Sequence, residues 1–567
     1  ARDHQPARVD HRVGQEDRPS LTPLDRVERR EDGGDLREGG KGARREGKAF
    51  SVSVSGFLFL LLRPFFAQKS EKTKLFFSQQ DCFRAVTGLP VSPYFSAYKM
   101  LWLLENVPAV KKAAEEGRLA FGTVDSWLIF HLTGGSNSNR KGDGSSCSSS
   151  STPPASPTFV TDVTNASRTG LLCLKTRAWH LETCGKLGID VAWLARIASS
   201  AEVYGKVAAP LSSSSENIAE MVRDKASLYR TCSGESGFVS GNPSSTSGNN
   251  KSSSDEATVV SWSCRSLAGV PISGCLGDQQ AALLGQRCRV GEAKATYGTG
   301  AFVLLVTGSE APVPSSSGLL TTAAYQLGAD APLFYALEGA VAVAGAGVSW
   351  LRGGFGIIER PQEVEELARS VEDSCGVVLV PAFAGLLAPR WRADARGVIV
   401  GLTSATTKAH LARAMLDAIG WQTKEVVEAM ALDRSSAMGS KAEKGAAAAS
   451  SAAEEESKTN SSPSSSVAAI SRLRVDGGAS RNDLLMEIQA DLLGLPVERP
   501  AHGETTSLGA ALAAGVGAGV FSSAEEAFTV GVGAAPSVFL PKAKREDVAR
   551  AYEKWNDAVE RSYGLAG

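Results

Sequence analysis

The stretch GCLGDQQAALLGQRCRVGEAKATYGTGAF, from Gly274 to Phe302, constrains this chain most, because it sets a helix headed by an acid directly before a glycine-turned hairpin. Asp278 follows Gly277 and opens QQAALLGQ, a run of good helix formers, so its carboxylate is expected at or near a helix N-terminus. There it either caps the helix or points into a cleft. Ala295, Thr296 and Tyr297 then lead into Gly298-Thr299-Gly300, and Phe302 to Leu305 leads out, the pattern of two strands joined by a tight turn. The glycines are either plain turn chemistry or a device that brings backbone N–H groups close to a phosphate, with the Thr299 hydroxyl as a further donor. An acid-headed helix beside such a turn suits phosphoryl transfer.

A second loop has the same character. Leu473 to Val475 reads as a short strand, Asp476-Gly477-Gly478-Ala479 as a turn, and SRNDLLMEIQADLLG as a helix with Leu485, Ile488 and Leu492 on one face. This sets a glycine turn at a helix N-terminus, where unpaired N–H groups and the helix dipole favour an anion, although a plain strand-to-helix connection reads the same way. From Glu504, ETTSLGAALAAGVGAGVF reads as a helix of very small residues that packs tightly against a neighbour, with no chemistry of its own.

These segments resemble the glycerol kinase branch of the FGGY carbohydrate kinases. The resemblance rests on GDQQAALLGQ, TYGTGAF, YALEGAVAVAGA, PAFAGLLAPRW with DARGVIVGLT, and VDGGASRNDLLMEIQADLLGLPVERP. Upstream, TGLPVSPYFS, LAFGTVDSWLIFHLTGG and VTDVTNASRTGLL extend it, so that it runs from about Phe83 to the C-terminus. It implies an α/β protein of two actin-like (ribonuclease H-like) ATPase domains around a central cleft where ATP meets a substrate alcohol. It also implies that Asp278 is the general base on the hydroxyl, that Gln279 holds the polyol, and that Tyr94 and Phe302 line the glycerol pocket. Gly298, Thr299 and Gly300 match the loop at the transferred phosphate. Gly345 matches a backbone contact near the nucleotide, Ser349 falls among the ATP-binding positions, and Gly478, Ala479 and Asn482 match the adenosine-side loop. ATP with Mg²⁺ is the implied cofactor pair, with Asp278 near the metal through Mg·ATP, and glycerol and ATP are the implied partners. A dimer or tetramer is common in the family. Three positions depart from the pattern: Ser349 stands where glutamine is frequent, Arg390 where tyrosine is usual, and Gly170 where relatives carry a larger apolar residue.

The largest departure is at the start. The family opens with an Asp-x-Gly-Thr-Thr phosphate hairpin, then an Arg-Glu pair and a tryptophan that grip the polyol, and none of these occurs here. Residues 1–49 are dense in Arg, Asp, Glu and Gly and are expected to be disordered. Residues 51–68 are apolar but broken by Arg63 and Pro64, too short for a transmembrane helix. The reading is that residues 1–80 lie outside the fold, as in a mis-joined gene model, and that the N-terminal domain is incomplete. Residues 81–271 then form its remainder and 272–567 the nucleotide domain, with the boundary near Pro271. Glycerol phosphorylation is the function so implied, with two alternatives: an inactive binding homologue lacking the first phosphate loop, or a kinase for another polyol or pentose.

Composition agrees with a soluble cytoplasmic enzyme. At 567 residues, 43% hydrophobic and with a net charge of −1, the chain can bury two cores and has no bias toward nucleic acid or stable membrane insertion. Nine cysteines without C-x-x-C pairs are expected to be reduced, and six scattered histidines support neither a zinc site nor a histidine triad. Serine-rich stretches near 136–157, 232–256 and 433–468 read as flexible surface loops. The first falls between LIFHLTGG and TFVTDVTNASRT, taken as the two strands of a hairpin. Arg545 to Tyr563 reads as a charged amphipathic helix.

Overall fold

The computed structural model describes residues 50–53, 81–135, 157–208, 267–449, 470–530 and 534–566. Its largest element is a mixed seven-stranded sheet in the order Leu320–Tyr325, Phe334–Val341, Ala301–Gly308, Ala293–Tyr297, Leu473–Asp476, Val497–Arg499, Ser537–Phe539. The first four strands pair antiparallel, with Phe334–Val341 inserted between Leu320–Tyr325 and Ala301–Gly308. Leu473–Asp476 then runs parallel to Ala293–Tyr297, with Asp476 opposite Thr296, so the two glycine turns leave neighbouring strands at the same edge.

Strand alternation divides this sheet chemically. Ala293, Ala295, Tyr297, Val303, Leu305, Leu473 and Val475 face one side and pack on the helices Lys408–Ala449 and Asp483–Leu493. Phe302, Leu304 and Val306 face the other and pack on Leu283 and Leu284 of the helix Asp278–Gly285 and on Leu512 and Ala513 of Thr505–Gly517. The small-residue helix therefore has its neighbour: it lies against the Asp278 helix, backbone to backbone. A Cβ on Gly509 would sit 2.7 Å from the Ala281 carbonyl carbon, and one on Gly285 would sit 2.8 Å from the Gly509 nitrogen and the Thr505 carbonyl carbon.

The N-terminal half has its own core, in which Phe83, Leu89, Phe95, Met100, Phe121 and Leu187 meet. Among its described residues, strands occur only in two-stranded ladders: Phe50–Ser53 with Leu119–Gly122, Val160–Asp162 with Arg196–Ala198, Leu172–Cys173 with Ala178–Trp179, and Gly205–Lys206 with Pro271–Ile272. A sheet in each half was expected, and only the C-terminal half shows a large one.

Three local readings are corrected. The WLIFHL run is not a hairpin strand. Val124–Leu132 is a helix, and Val160–Asp162 pairs in parallel with Arg196–Ala198, because a four-residue apolar run does not distinguish a strand from a buried helix. The third serine-rich stretch does not begin as a loop, since the helix from Lys408 continues to Ala449 on alanine, lysine and glutamate. Of the apolar segment 51–68, residues 51–53 belong to a strand. The expectations for 1–49, 54–80, 232–256 and the rest of the first and third serine-rich stretches lie outside the described residues. The C-terminal helix is present as Arg545–Glu560, burying Trp555, Ala558 and Val559.

Gly170 adopts φ +78°, which explains glycine at that position. Arg390 donates to Glu425 at 2.7 Å and also bonds Asn556, with Trp555 Nε1 on the same Glu425 oxygen at 2.7 Å. It anchors the C-terminal helix.

Candidate active site

Asp278 is the first residue of its helix, with Gly277 as N-cap in extended backbone. It is exposed, and Oδ1 accepts the N–H of Gln279 at 2.8 Å. Oδ2 has no protein partner among the described residues. The acid thus helps satisfy the helix end and still presents a carboxylate oxygen outward.

Beneath it the polar face of the sheet is crowded. Lys294 is fully buried, and its Nζ donates to Thr296 Oγ1 at 2.8 Å and to Gln279 Oε1. Burial lowers the Lys294 ammonium below its ordinary range, while Asp476, Asp278 and Glu338 oppose that shift. Asp476, also buried, accepts from Gln286 Nε2 at 2.7 Å and from the Thr505 hydroxyl, while its Oδ1 has no partner among the described residues. Phe302 stands opposite Thr296 in the antiparallel register, half-buried on the same face.

A wall from the N-terminal half completes the group. Arg168 donates to Glu338 Oε2 at 2.7 Å, where Glu338 is only 3% exposed. Burial alone would lower the Arg168 guanidinium, but Glu338 and Tyr94 beside it turn the net shift upward. Tyr94 is 46% exposed and edge-on to Phe95, with ring centroids 5.3 Å apart. Desolvation pushes its phenol up, against Arg168 and with help from the charges of Glu338 and Asp278. Tyr94, Arg168, Glu338 and Asp278 therefore feel one another's charge, while Gln279 joins them through Lys294 and Phe302 lies opposite Thr296 on the sheet face below.

The glycine turns sit at the edge of that neighbourhood. Gly298 and Thr299 are exposed, and the Thr299 hydroxyl has no protein partner among the described residues. The turn rests on the N-terminus of the helix Gly345–Gly353: Gly345 N–H donates to Gly298 O at 2.9 Å, and Ala344 and Ala346 N–H donate to Thr299 O at 3.0 and 2.9 Å. Gly345 is required by this approach, since its Cβ would lie 2.6 Å from Gly298 O. Ser349 follows one turn later and is exposed. Gly477, at φ +86°, brings the second turn against Tyr297, where a Cβ would lie 2.8 Å from the Tyr297 carbonyl carbon.

Here the structure corrects the expected N–H cluster. Gly478–Arg481 is a 3₁₀ turn, and the helix begins only at Asp483, capped by Asn482 Oδ1 on Leu485 N–H at 2.8 Å. Glu365 takes the N–H groups of Asp483 and Leu484 at 3.2 and 3.1 Å. That helix end is satisfied by the protein's own groups, and Gly478, Ala479 and Asn482 offer a surface beside it.

Sequence reasoning missed Lys294, Arg168, Glu338 and Asp476. For Lys294 a signal existed: it is a charged residue between Ala293 and Ala295, on the same face as Thr296. A separate buried pair, Asp162 and Asp125, lies near Cys275. Asp162 accepts from Thr164 N, Asn165 N and Ser200 Oγ, and burial followed by the Asp125 charge pushes it up to about 6. The described cysteines are all free of disulfides, and burial raises the Cys275 thiol well above its ordinary value.

Residues 71–219 match the N-terminal domain and residues 293–518 the C-terminal domain of the FGGY family of carbohydrate kinases. Glycerol kinase 2 of Streptomyces avermitilis is 42% identical over 489 residues, spanning 86% of this chain and 74% of that protein. The chain belongs to the FGGY family of carbohydrate kinases. Glycerol kinase of Arabidopsis thaliana is 42% identical over 480 residues, covering 84% of this chain and 73% of the relative. Among solved structures, Plasmodium falciparum glycerol kinase with ADP superposes with a TM-score of 0.63 at 30% identity, over 89% of this chain and 77% of that one. Xylulose kinase of Lactobacillus acidophilus shares the fold, with a TM-score of 0.58 at 18% identity over 88% and 79%. The mixed α/β architecture is thus that of FGGY kinases, which use ATP. No helix among the described residues is long and apolar enough to cross a membrane.

Proposed function

We propose that this carbohydrate kinase transfers the γ-phosphoryl group of ATP to a terminal hydroxyl of glycerol, giving sn-glycerol 3-phosphate. The observation that carries the reading is the outward carboxylate oxygen of Asp278, with Gln279 next to it, Tyr94 within reach of its charge, and Phe302 opposite Thr296 on the sheet face below. Similarity to glycerol kinases at 42% identity supports glycerol as the alcohol.

In this reading Asp278 accepts the hydroxyl proton as the alcohol oxygen bonds to the γ-phosphorus and the bond to ADP breaks. Phe302 and Tyr94 face the carbon chain, and Gln279 holds a second hydroxyl. Thr299 offers its free hydroxyl to the transferred phosphate, while Gly298, Gly300 and Gly345 allow close backbone approach. Ser349, Gly478, Ala479 and Asn482 border the adenosine. Mg²⁺ would be held chiefly by the ATP phosphates, with the Asp278 carboxylate near it through the nucleotide, and would supply neutralisation of phosphate charge.

The test is ADP release from the purified chain with glycerol, with xylulose and gluconate as competitors, and phosphorus NMR of the product. Glycerol-dependent ADP with a primary phosphate ester is expected. Turnover only with a sugar or sugar acid would overturn the substrate assignment.

A further inference from the structure

Lys294 occupies the centre of the largest sheet, 0% exposed, where an apolar residue would normally cost less. Its partners explain its presence. The ammonium has three donors and no acceptor, so whatever faces it must accept. Thr296 supplies one hydroxyl oxygen at 2.8 Å, and Gln279 supplies its side-chain oxygen. The orientation of the Gln279 amide then follows from chemistry: Oε1 points in toward Lys294 and the NH₂ points away. That NH₂ has no protein partner among the described residues, and it is carried on the residue next to Asp278.

We propose that Lys294 is a positioning residue for the substrate. It locks the Gln279 carboxamide so that the site presents an N–H donor, and never a carbonyl oxygen, to a polyol hydroxyl. That hydroxyl must therefore be received as an acceptor through its oxygen. Without Lys294 the amide is free to turn over, and half of its orientations replace the N–H donor by a carbonyl oxygen, which the hydroxyl can meet only by giving its own proton. The inference deepens the glycerol reading and rests on it.

Calorimetric titration of glycerol into the full chain and its K294M, Q279A and K294M/Q279A variants tests it, with ATP binding and thermal melting followed alongside. K294M is expected to weaken glycerol roughly tenfold, about the loss of one hydrogen bond to a well-held donor. ATP binding should be unchanged, and the double variant should bind no more weakly than Q279A, because the lysine acts only through the amide. A packing role would instead lower ATP and glycerol binding together and add to Q279A. Glycerol binding by K294M equal to that of the parent overturns the inference. Q279E gives a second reading that does not depend on the folding of K294M: its carboxylate can sit on Lys294 but offers no donor. It should therefore lose glycerol as Q279A does, and parental affinity in Q279E overturns the donor assignment. If the parent itself binds no glycerol while binding ATP, the glycerol reading falls and this inference falls with it.

Discussion

Replacing Gly509 by Ala adds one methyl group at the contact between the small-residue helix and the Asp278 helix. Two effects oppose each other. Alanine is the better helix former by about 1 kcal/mol, so an unhindered change would stabilise. The new Cβ, however, would lie 2.7 Å from the Ala281 carbonyl carbon and 2.8 Å from Gly285 N, both backbone atoms of the facing helix, and closer still to the Ala281 oxygen. Real Cβ atoms essentially never approach below 3.0 Å, and backbone cannot rotate aside as a side chain can. The helices must separate, and overpacking of this kind costs about 1–3 kcal/mol or more. The clash therefore wins, and a melting temperature lower by several degrees is expected. Ala281 is on the same short helix as Asp278, so the shift also reaches the carboxylate, and a displacement near 1 Å is worth about 100-fold in turnover. Gly185 is the control, an exposed helical glycine with nothing within 4 Å of its added Cβ. G185A should raise stability by up to about 1 kcal/mol and leave turnover alone. Thermal melting and glycerol-dependent ADP release of both variants measure this. G509A with parental melting and turnover, or G185A falling as far, would refute the packing argument.

Asp278→Asn should lower turnover by about 10²–10⁴, with glycerol still bound, as read by ADP release and calorimetry. Arg168→Met should cost about 3–5 kcal/mol in denaturant unfolding by stranding the buried Glu338 carboxylate, and adding Glu338→Gln should recover much of it. Asp162, pushed up to about 6 by burial and Asp125, binds its proton more tightly folded than unfolded. Its contribution to stability is thus fully present below about pH 4, its ordinary range, and is lost as pH rises through 6. Melting curves of the parent against Asp162→Asn should show that difference in slope between pH 4 and 6, and parallel curves would contradict it.

The legible parts were those carried by short-range signals. Gly298-Thr299-Gly300 between β-prone residues gives one hairpin geometry, and Gly277-Asp278 before a run of helix formers gives one helix start. The 3₁₀ turn after Gly477 was harder, because the cap on Asn482 and the Glu365 carboxylate, 118 residues away from Asp483, decide where that helix begins. Arg168 and Glu338 are 170 residues apart, so their pairing is a property of the assembled cleft. The helix Val124–Leu132 was misread because Val124, Trp127, Leu128, Ile129, Phe130 and Leu132 put apolar residues all round it, leaving no contrast between its faces.

Among the attachments that fasten the Asp278 helix, three are well separated: Gln279 to Lys294, the Ala281–Gly285 backbone to the small-residue helix, and Gln286 to Asp476. Two of these anchors belong to adjacent strands of one sheet, and the third to a helix whose Thr505 grips the same Asp476. Three such attachments leave a rigid body no freedom to slide, tilt or spin. The carboxylate retains only the two torsions of its own side chain. The base therefore stays still, and a hydroxyl must be brought to it.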